Sequence, residues 1–141
     1  MNYLLDTCVI SELVKPSPHP MVLEWFTEIP SERLFLSVIT IGEIRKGLAK
    51  LPDSRRKDRL TEWLNTLLED YRDRIYTIDL AVAEHWGIMQ GRAEQSGTPL
   101  SSIDSLIAAI AAAHNLVLVT RNVMDFAATT IPIHNPWGRE G

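Results

Sequence analysis

Cysteine is nearly missing from this chain: Cys8 is the single one in 141 residues. An internal disulfide is therefore excluded, and a reducing compartment suits the composition. The four histidines, His19, His85, His114 and His134, are too scattered to form a Cys/His zinc cage. Long hydrophobic runs are also lacking. The longest uncharged helix-like stretch, Leu106 to Ala113, is too short to span a bilayer, so no membrane association is expected. The N-terminus has no basic segment followed by an apolar stretch and a small-residue cleavage site, and a cytoplasmic location is expected. Internal repeats, low-complexity tracts and an obvious linker are absent. What remains is ordinary for a globular chain, with 45% apolar and 23% charged residues. The length fits a single domain over residues 1–141.

The net charge of −4 argues against broad electrostatic binding of nucleic acid. The cations are nevertheless uneven. Arg45, Lys46, Lys50, Arg55, Arg56, Lys57 and Arg59 are seven of the fourteen Lys and Arg residues. Such a patch either holds phosphates or forms a solvated helix face.

Short apolar runs alternate with longer helical patterns. Tyr3–Leu5, Leu34–Leu36, Ile75–Ile78, Leu116–Thr120 and Ile131–Ile133 read as strands. Helices are expected over Val9–Val14, Pro20–Glu28, Thr40–Leu51, Arg56–Tyr71, Leu80–Glu94 and Ile103 to about His114. Asp79 is placed to cap the fifth of these, which stops before Gly97, and Ser101 or Ser102 to cap the sixth. This alternation predicts an α/β layered fold: a central, mainly parallel five-stranded sheet flanked by helices in three layers. In such sheets a ligand crevice lies beyond the carboxyl ends of the strands.

Four acids stand at the edges of the most apolar segments. Asp6 follows strand one, Glu43 lies in Val38-Ile39-Thr40-Ile41-Gly42-Glu43-Ile44, Asp104 opens the last helix, and Asp125 lies just past strand four. Each has a plain structural role available. Asp6 can cap the helix after it, Asp104 suits the positive end of its helix dipole, Glu43 fits a polar helix face beside Lys46 and Lys50, and Asp125 can sit in a loop. Together they ask for more. Two carboxylates about 5 Å apart repel by roughly 3 kcal/mol at an effective dielectric of about 20. No Lys or Arg neighbours Asp6 or Asp104 in sequence, so a bound cation is the economical counter-charge. Oxygen donors favour Mg²⁺, with Mn²⁺ as a substitute, and ions held this way serve phosphodiester cleavage.

Tyr3-Leu4-Leu5-Asp6-Thr7 resembles the opening of PIN domains. Ser37-Val38-Ile39-Thr40-Ile41-Gly42-Glu43-Ile44-Arg45-Lys46-Gly47, Ile103-Asp104-Ser105-Leu106-Ile107-Ala108-Ala109 and Leu118-Val119-Thr120-Arg121-Asn122-Val123-Met124-Asp125-Phe126 resemble the second, third and fourth motifs of the VapC/FitB-like branch. Asn135-Pro136-Trp137 is similar to a common ending. The resemblance implies a Mg²⁺-dependent endoribonuclease that acts as the toxin of a type II toxin–antitoxin pair. It implies Asp6, Glu43 and Asp104 as catalytic and metal-binding acids, with Asn122 or Asp125 completing the site. Many relatives carry Asp where this chain has Asn122. Thr7 and Thr120 are expected as supporting hydroxyls, and Arg121, Arg45 and Lys46 as RNA contacts. The implied partners are RNA, a small DNA-binding antitoxin whose tail crosses the acidic cleft, and a second copy in a homodimer or larger assembly.

The remaining conspicuous residues have plainer readings. Cys8 is expected as a small buried hydrophobe. Trp25, Trp63 and Trp86 are expected in the core, and Trp137 either in a dimer seam or pinning the tail. Leu60–Tyr71 offers an apolar face for docking, although periodicity does not separate core from interface. Two other function classes fit the pattern: a PIN-fold module that works only by binding protein, and a receiver-type phospho-accepting switch. The second lacks the required acidic pair, because Asp6 stands alone, and has His134-Asn135-Pro136 where a Lys is needed.

Overall fold

Residues 1–138 are described by the computed structural model. Strand β1 (Tyr3–Leu5) leads into α1 (Thr7–Leu13) and α2 (Pro20–Glu28). A 3₁₀ turn at Ser31–Arg33 precedes β2 (Leu34–Ser37), which passes directly into α3 (Val38–Ala49). Then come α4 (Arg55–Asp70), β3 (Ile75–Tyr76), α5 (Leu80–Gln95), α6 (Ser102–Ala113), β4 (Val117–Val119), a second 3₁₀ turn at Val123–Phe126, and β5 (Ile133–His134). The strands form one five-stranded sheet in the order β3-β2-β1-β4-β5. Every pairing is parallel, with Leu4 beside Phe35 and Leu118, and Leu5 beside Val119.

Successive residues of a strand point to opposite faces, and here both faces are covered. Leu4 and Leu118 pack with Val82, Ile107, Ala108 and Ile110 of α5 and α6. Leu5 and Val119 pack with Val9, Ile10, Val22, Ile44 and Leu64 of α1 to α4. The three-layer expectation is thus met. The order also departs from the 2-1-3-4-5 arrangement of receiver-type sheets, which removes the structural basis for a phospho-accepting switch.

Several boundaries move for local reasons. Helix α3 begins at Val38 rather than Thr40, because Ser37 caps it by accepting the Thr40 N–H at 3.1 Å. Strand β3 stops at Tyr76 rather than Ile78: Thr77 and Ile78 are exposed, and Asp79 already caps α5 by accepting from Val82 N at 3.0 Å. Strand β5 starts at Ile133 rather than Ile131, since Pro132 has no N–H to donate and contributes only its carbonyl, to Leu118 N. Helix α5 ends where Gly97, at φ +73°, lets Thr98 N reach the Ala93 carbonyl at 2.8 Å. No helix among the described residues is long and apolar enough to cross a membrane.

Candidate active site

Strand order reverses between β1 and β4, and a sheet of this kind opens its crevice at the carboxyl ends of those two strands. Asp6 follows β1 there, and Thr120 follows β4. Asp6 is only 6% exposed and caps α1, taking the Thr7 N–H on Oδ1 at 2.8 Å. Its other oxygen accepts the Thr120 hydroxyl at 2.8 Å. Thr120 is fully buried and in turn accepts Asn122 N at 3.0 Å. The loop carrying Asn122 and the acid on β1 are therefore joined through one hydroxyl.

Thr7 works in two directions. Besides its N–H to Asp6, its hydroxyl donates to Glu43 Oε1. Glu43 is half-buried on α3, not fully solvated. Asp104 is half-buried in the first turn of α6, whose cap Ser101 accepts the Asp104 N–H at 3.1 Å.

The carboxyls sense each other. Burial pushes Asp6 above its ordinary 3.8, hydrogen bonds from Thr120 and Thr7 oppose this, and the charges of Glu43 and Asp104 push it further up. Asp104 is raised by burial first, then by Asp125 and Glu43, against the hydrogen bond with Ser101. Among the described residues, no Lys or Arg forms a salt bridge to Asp6, Glu43, Asp104 or Asp125. The donors fit a hard divalent cation by chemistry: carboxylate oxygens, desolvated and short of counter-charge. The spacing is looser than a closed cage. Among the described residues, no three His, Cys, Asp or Glu side chains stand close enough together to hold an ion as they are placed.

Asn122, just ahead of the 3₁₀ turn beyond β4, and Asp125, within it, are exposed. They line a cleft of about 520 Å³ with Arg121, Met124 and Asn135. A neighbouring cleft of about 470 Å³ holds Asp104 and Ser101, and Asp125 and Met124 border both. Arg121 is exposed, its guanidinium 5.3 Å from the centre of the Trp137 ring. Arg45 and Lys46 are exposed on α3, one turn beyond Glu43.

Two expectations need correction, those for Cys8 and Trp86, and two open alternatives are narrowed, those for Trp137 and α4. Cys8 is half-buried rather than a purely apolar filler: its Sγ lies 3.8 Å from Asp6 Oδ2 and 3.6 Å from Thr120 Oγ1, and it accepts Arg121 N at 3.5 Å. Trp86 is 37% exposed, held by its N–H to Ser105 Oγ at 2.9 Å. Trp137 is buried in this chain's own core, which favours tail-pinning over a dimer seam. Leu60, Trp63, Leu64, Leu67, Leu68 and Tyr71 pack into the same core, so the apolar face of α4 is used internally. The sequence reading also missed Thr40 and Ser37, buried hydroxyls that continue the Thr7 contact. Their only signal was the Ser-x-x-Thr spacing ahead of Glu43.

The PIN domain family model matches residues 3–130. Toxin FitB of Neisseria gonorrhoeae is 36% identical over 135 residues, covering 95% of this chain and 97% of that protein. VapC ribonuclease Y4jK of Sinorhizobium fredii is also 36% identical over 135 residues, covering 95% and 96%. The crystal structure of FitAcB from Neisseria gonorrhoeae superposes with a TM-score of 0.91 at 35% identity, covering 96% of this chain and 99% of that one.

Proposed function

The chain belongs to the PIN-domain family, and we propose on that premise that residues 1–141 form one PIN domain acting as a cytoplasmic endoribonuclease toxin. The observation that carries the reading is the position of Asp6. It sits buried at the topological switch point, with Glu43 and Asp104 near enough to raise its pKa and, among the described residues, no Lys or Arg in a salt bridge with it.

In this reading Asp6 and Asp104 would hold Mg²⁺ or Mn²⁺, Glu43 would join them or orient the attacking water, and Asn122 or Asp125 would complete the set. When bound, the ion supplies water activation and charge neutralisation at the phosphate. The chain's own side chains do the rest. Thr120 fixes Asp6 Oδ2, and Thr7 sets the separation of Asp6 and Glu43. Arg121 offers a planar cation to an RNA phosphate at the cleft mouth, with Arg45 and Lys46 as outlying contacts. FitB is named a toxin and Y4jK a ribonuclease, and both support the assignment. The partners would be RNA, a small DNA-binding antitoxin with a basic side chain for the acidic cleft, and a second copy in a homodimer or larger complex.

The deciding experiment is RNA cleavage by wild-type chain and Asp6→Asn with and without Mg²⁺. Cleavage should need the metal and vanish in the variant. Wild-type turnover by Asp6→Asn would sink the assignment.

The open spacing of the acids favours one second reading, a PIN-fold module that works only by binding protein. Thermal melts separate the two, since a competent site gains stability with added Mg²⁺ or Mn²⁺ by mass action. No shift at millimolar metal would favour the module.

A further inference from the structure

The groove at the candidate site does not end at Asp104. The cleft of about 470 Å³ that holds Asp104 shares Thr98 and Ala128 with a third cleft of about 230 Å³, set between α5, α6 and the chain from Ala128 to Thr130. The first two clefts share Met124 and Asp125, so one groove runs from Arg121 past Asp104 and on along α6. Ala112 lines the far cleft, eight residues after Asp104 and about 12 Å farther along the helix at about 1.5 Å per residue.

The two ends of the groove differ in charge. Asp104 and Asp125 mark the near end. Among the described residues, no Asp or Glu lines the far cleft; the acids of α5, Glu84 and Glu94, are not in its wall. Arg92, exposed and in no salt bridge among the described residues, supplies a permanent cation there. His85 stands seven residues earlier on the same helix face, and even a neutral imidazole has an N–H to donate. Ser96, Thr98 and Thr130 add hydroxyls, and Ile88, 58% exposed, an apolar shelf. Both walls are pinned. The Gln90 amide donates to Leu100 O at 2.8 Å and accepts Leu100 N at 3.1 Å, which staples the loop carrying Thr98 to α5. Thr129 donates its hydroxyl to Phe126 O at 2.7 Å and holds the opposite wall. A groove held in this way costs little further ordering when a ligand enters.

We propose, resting on the ribonuclease reading, that the far cleft is a subsite for single-stranded RNA: Arg92 and His85 hold a phosphate of the strand whose scissile bond lies at Asp104. Stacked at about 3.4 Å per nucleotide, roughly three or four nucleotides separate the two positions. The guanidinium fork suits a phosphate, the hydroxyls suit 2′-OH groups, and the apolar shelf takes a ribose or base. A protein tail that brings a basic side chain to the acidic end would have to change sign here. RNA is anionic along its whole length.

The test measures binding of oligouridylates of about four and about sixteen nucleotides, the range of single-strand site sizes, in the Asp6→Asn background. Adding Arg92→Ala should weaken the long oligonucleotide about tenfold, as loss of a charged hydrogen bond does, and lower its slope of log affinity against log salt by about 0.7. Its advantage over the short oligonucleotide should shrink accordingly. Arg92→Lys should keep the slope. Thr130→Glu puts an anion on the opposite wall and should give the same pattern as Arg92→Ala, which guards against a folding defect in α5. Unchanged affinity and slope in both variants would overturn the subsite alone, as would equal losses for the long and short oligonucleotides. Intact RNA binding with impaired capture of the cognate antitoxin would also overturn it and give the groove to the protein partner. No cleavage by the wild-type chain with Mg²⁺ and no RNA bound by Asp6→Asn would overturn the ribonuclease reading, and the subsite with it.

Discussion

Thr120 donates its hydroxyl to Asp6 Oδ2 at 2.8 Å across 114 positions of sequence. The bond joins the ends of the two strands at which the sheet order reverses. It also constrains three partners at once, because Thr120 accepts from Asn122 N and lies against Cys8 Sγ.

Thr120→Val is therefore expected to lower stability by about 1–3 kcal/mol, the cost of stranding a buried partner of a lost hydrogen bond. Urea denaturation at constant slope measures it. Cleavage should fall too, through a misoriented Asp6. A variant as stable and active as wild type contradicts the role given to this hydroxyl.

The raised carboxyls give a pH dependence of definite sign. Asp6 and Asp104 are both held above 3.8, chiefly by burial. The folded chain thus binds these protons more tightly than the unfolded chain. Stability of the metal-free protein must fall as pH rises from about 3.8 through the raised values. Asp104→Asn removes one charge and relieves Asp6. In EDTA, its melting temperature relative to wild type should be least favourable in acid and improve toward neutral pH. A difference that is constant across that range would contradict the coupling.

Arg121→Ala should weaken RNA binding with little change in melting temperature, because the side chain is exposed. Measured in an Asp6→Asn background, loss of one single-strand phosphate contact lowers the slope of log affinity against log salt by about 0.7. Arg121→Lys keeps the charge and should keep the slope, while losing the guanidinium contact with the Trp137 ring. An unchanged slope in the alanine variant removes Arg121 from the RNA path.

Leu64→Ala tests the internal role of α4. Leu64 is fully buried in the α1–α4 core, and the truncation should cost about 2–5 kcal/mol. Capture of a cognate antitoxin, scaled to the folded fraction, should not change. Loss of capture at full stability would return α4 to the docking surface.

Much of this arrangement was readable in one dimension. The limits of α2 are those expected from sequence, Pro20 to Glu28, because proline at the first position and a run of apolar spacing mark a helix locally. The Asp6, Ser101 and Asp79 caps also follow from residue type and position. What could not be read is anything that depends on strand order. Glu43 lies on a polar-looking helix face, yet it meets Thr7 because β2 and β1 are neighbours. Cys8 looks like a small apolar filler until β4 brings Thr120 beside it. Trp86 shares its spacing with core residues, but α5 turns that face outward. The β5 shift came from a proline whose missing N–H outweighs its apolar neighbours.

One consequence follows from placing Asp6 at the end of a strand packed on both faces. Leu4 and Leu5 are fully buried, each in a different core. Amides in such a strand exchange with solvent only when most of the molecule opens. The acid at its tip shares that kinetic protection, while residues 121–125 lie exposed beside it. Substitutions can then accumulate along that rim without disturbing the scaffold beneath.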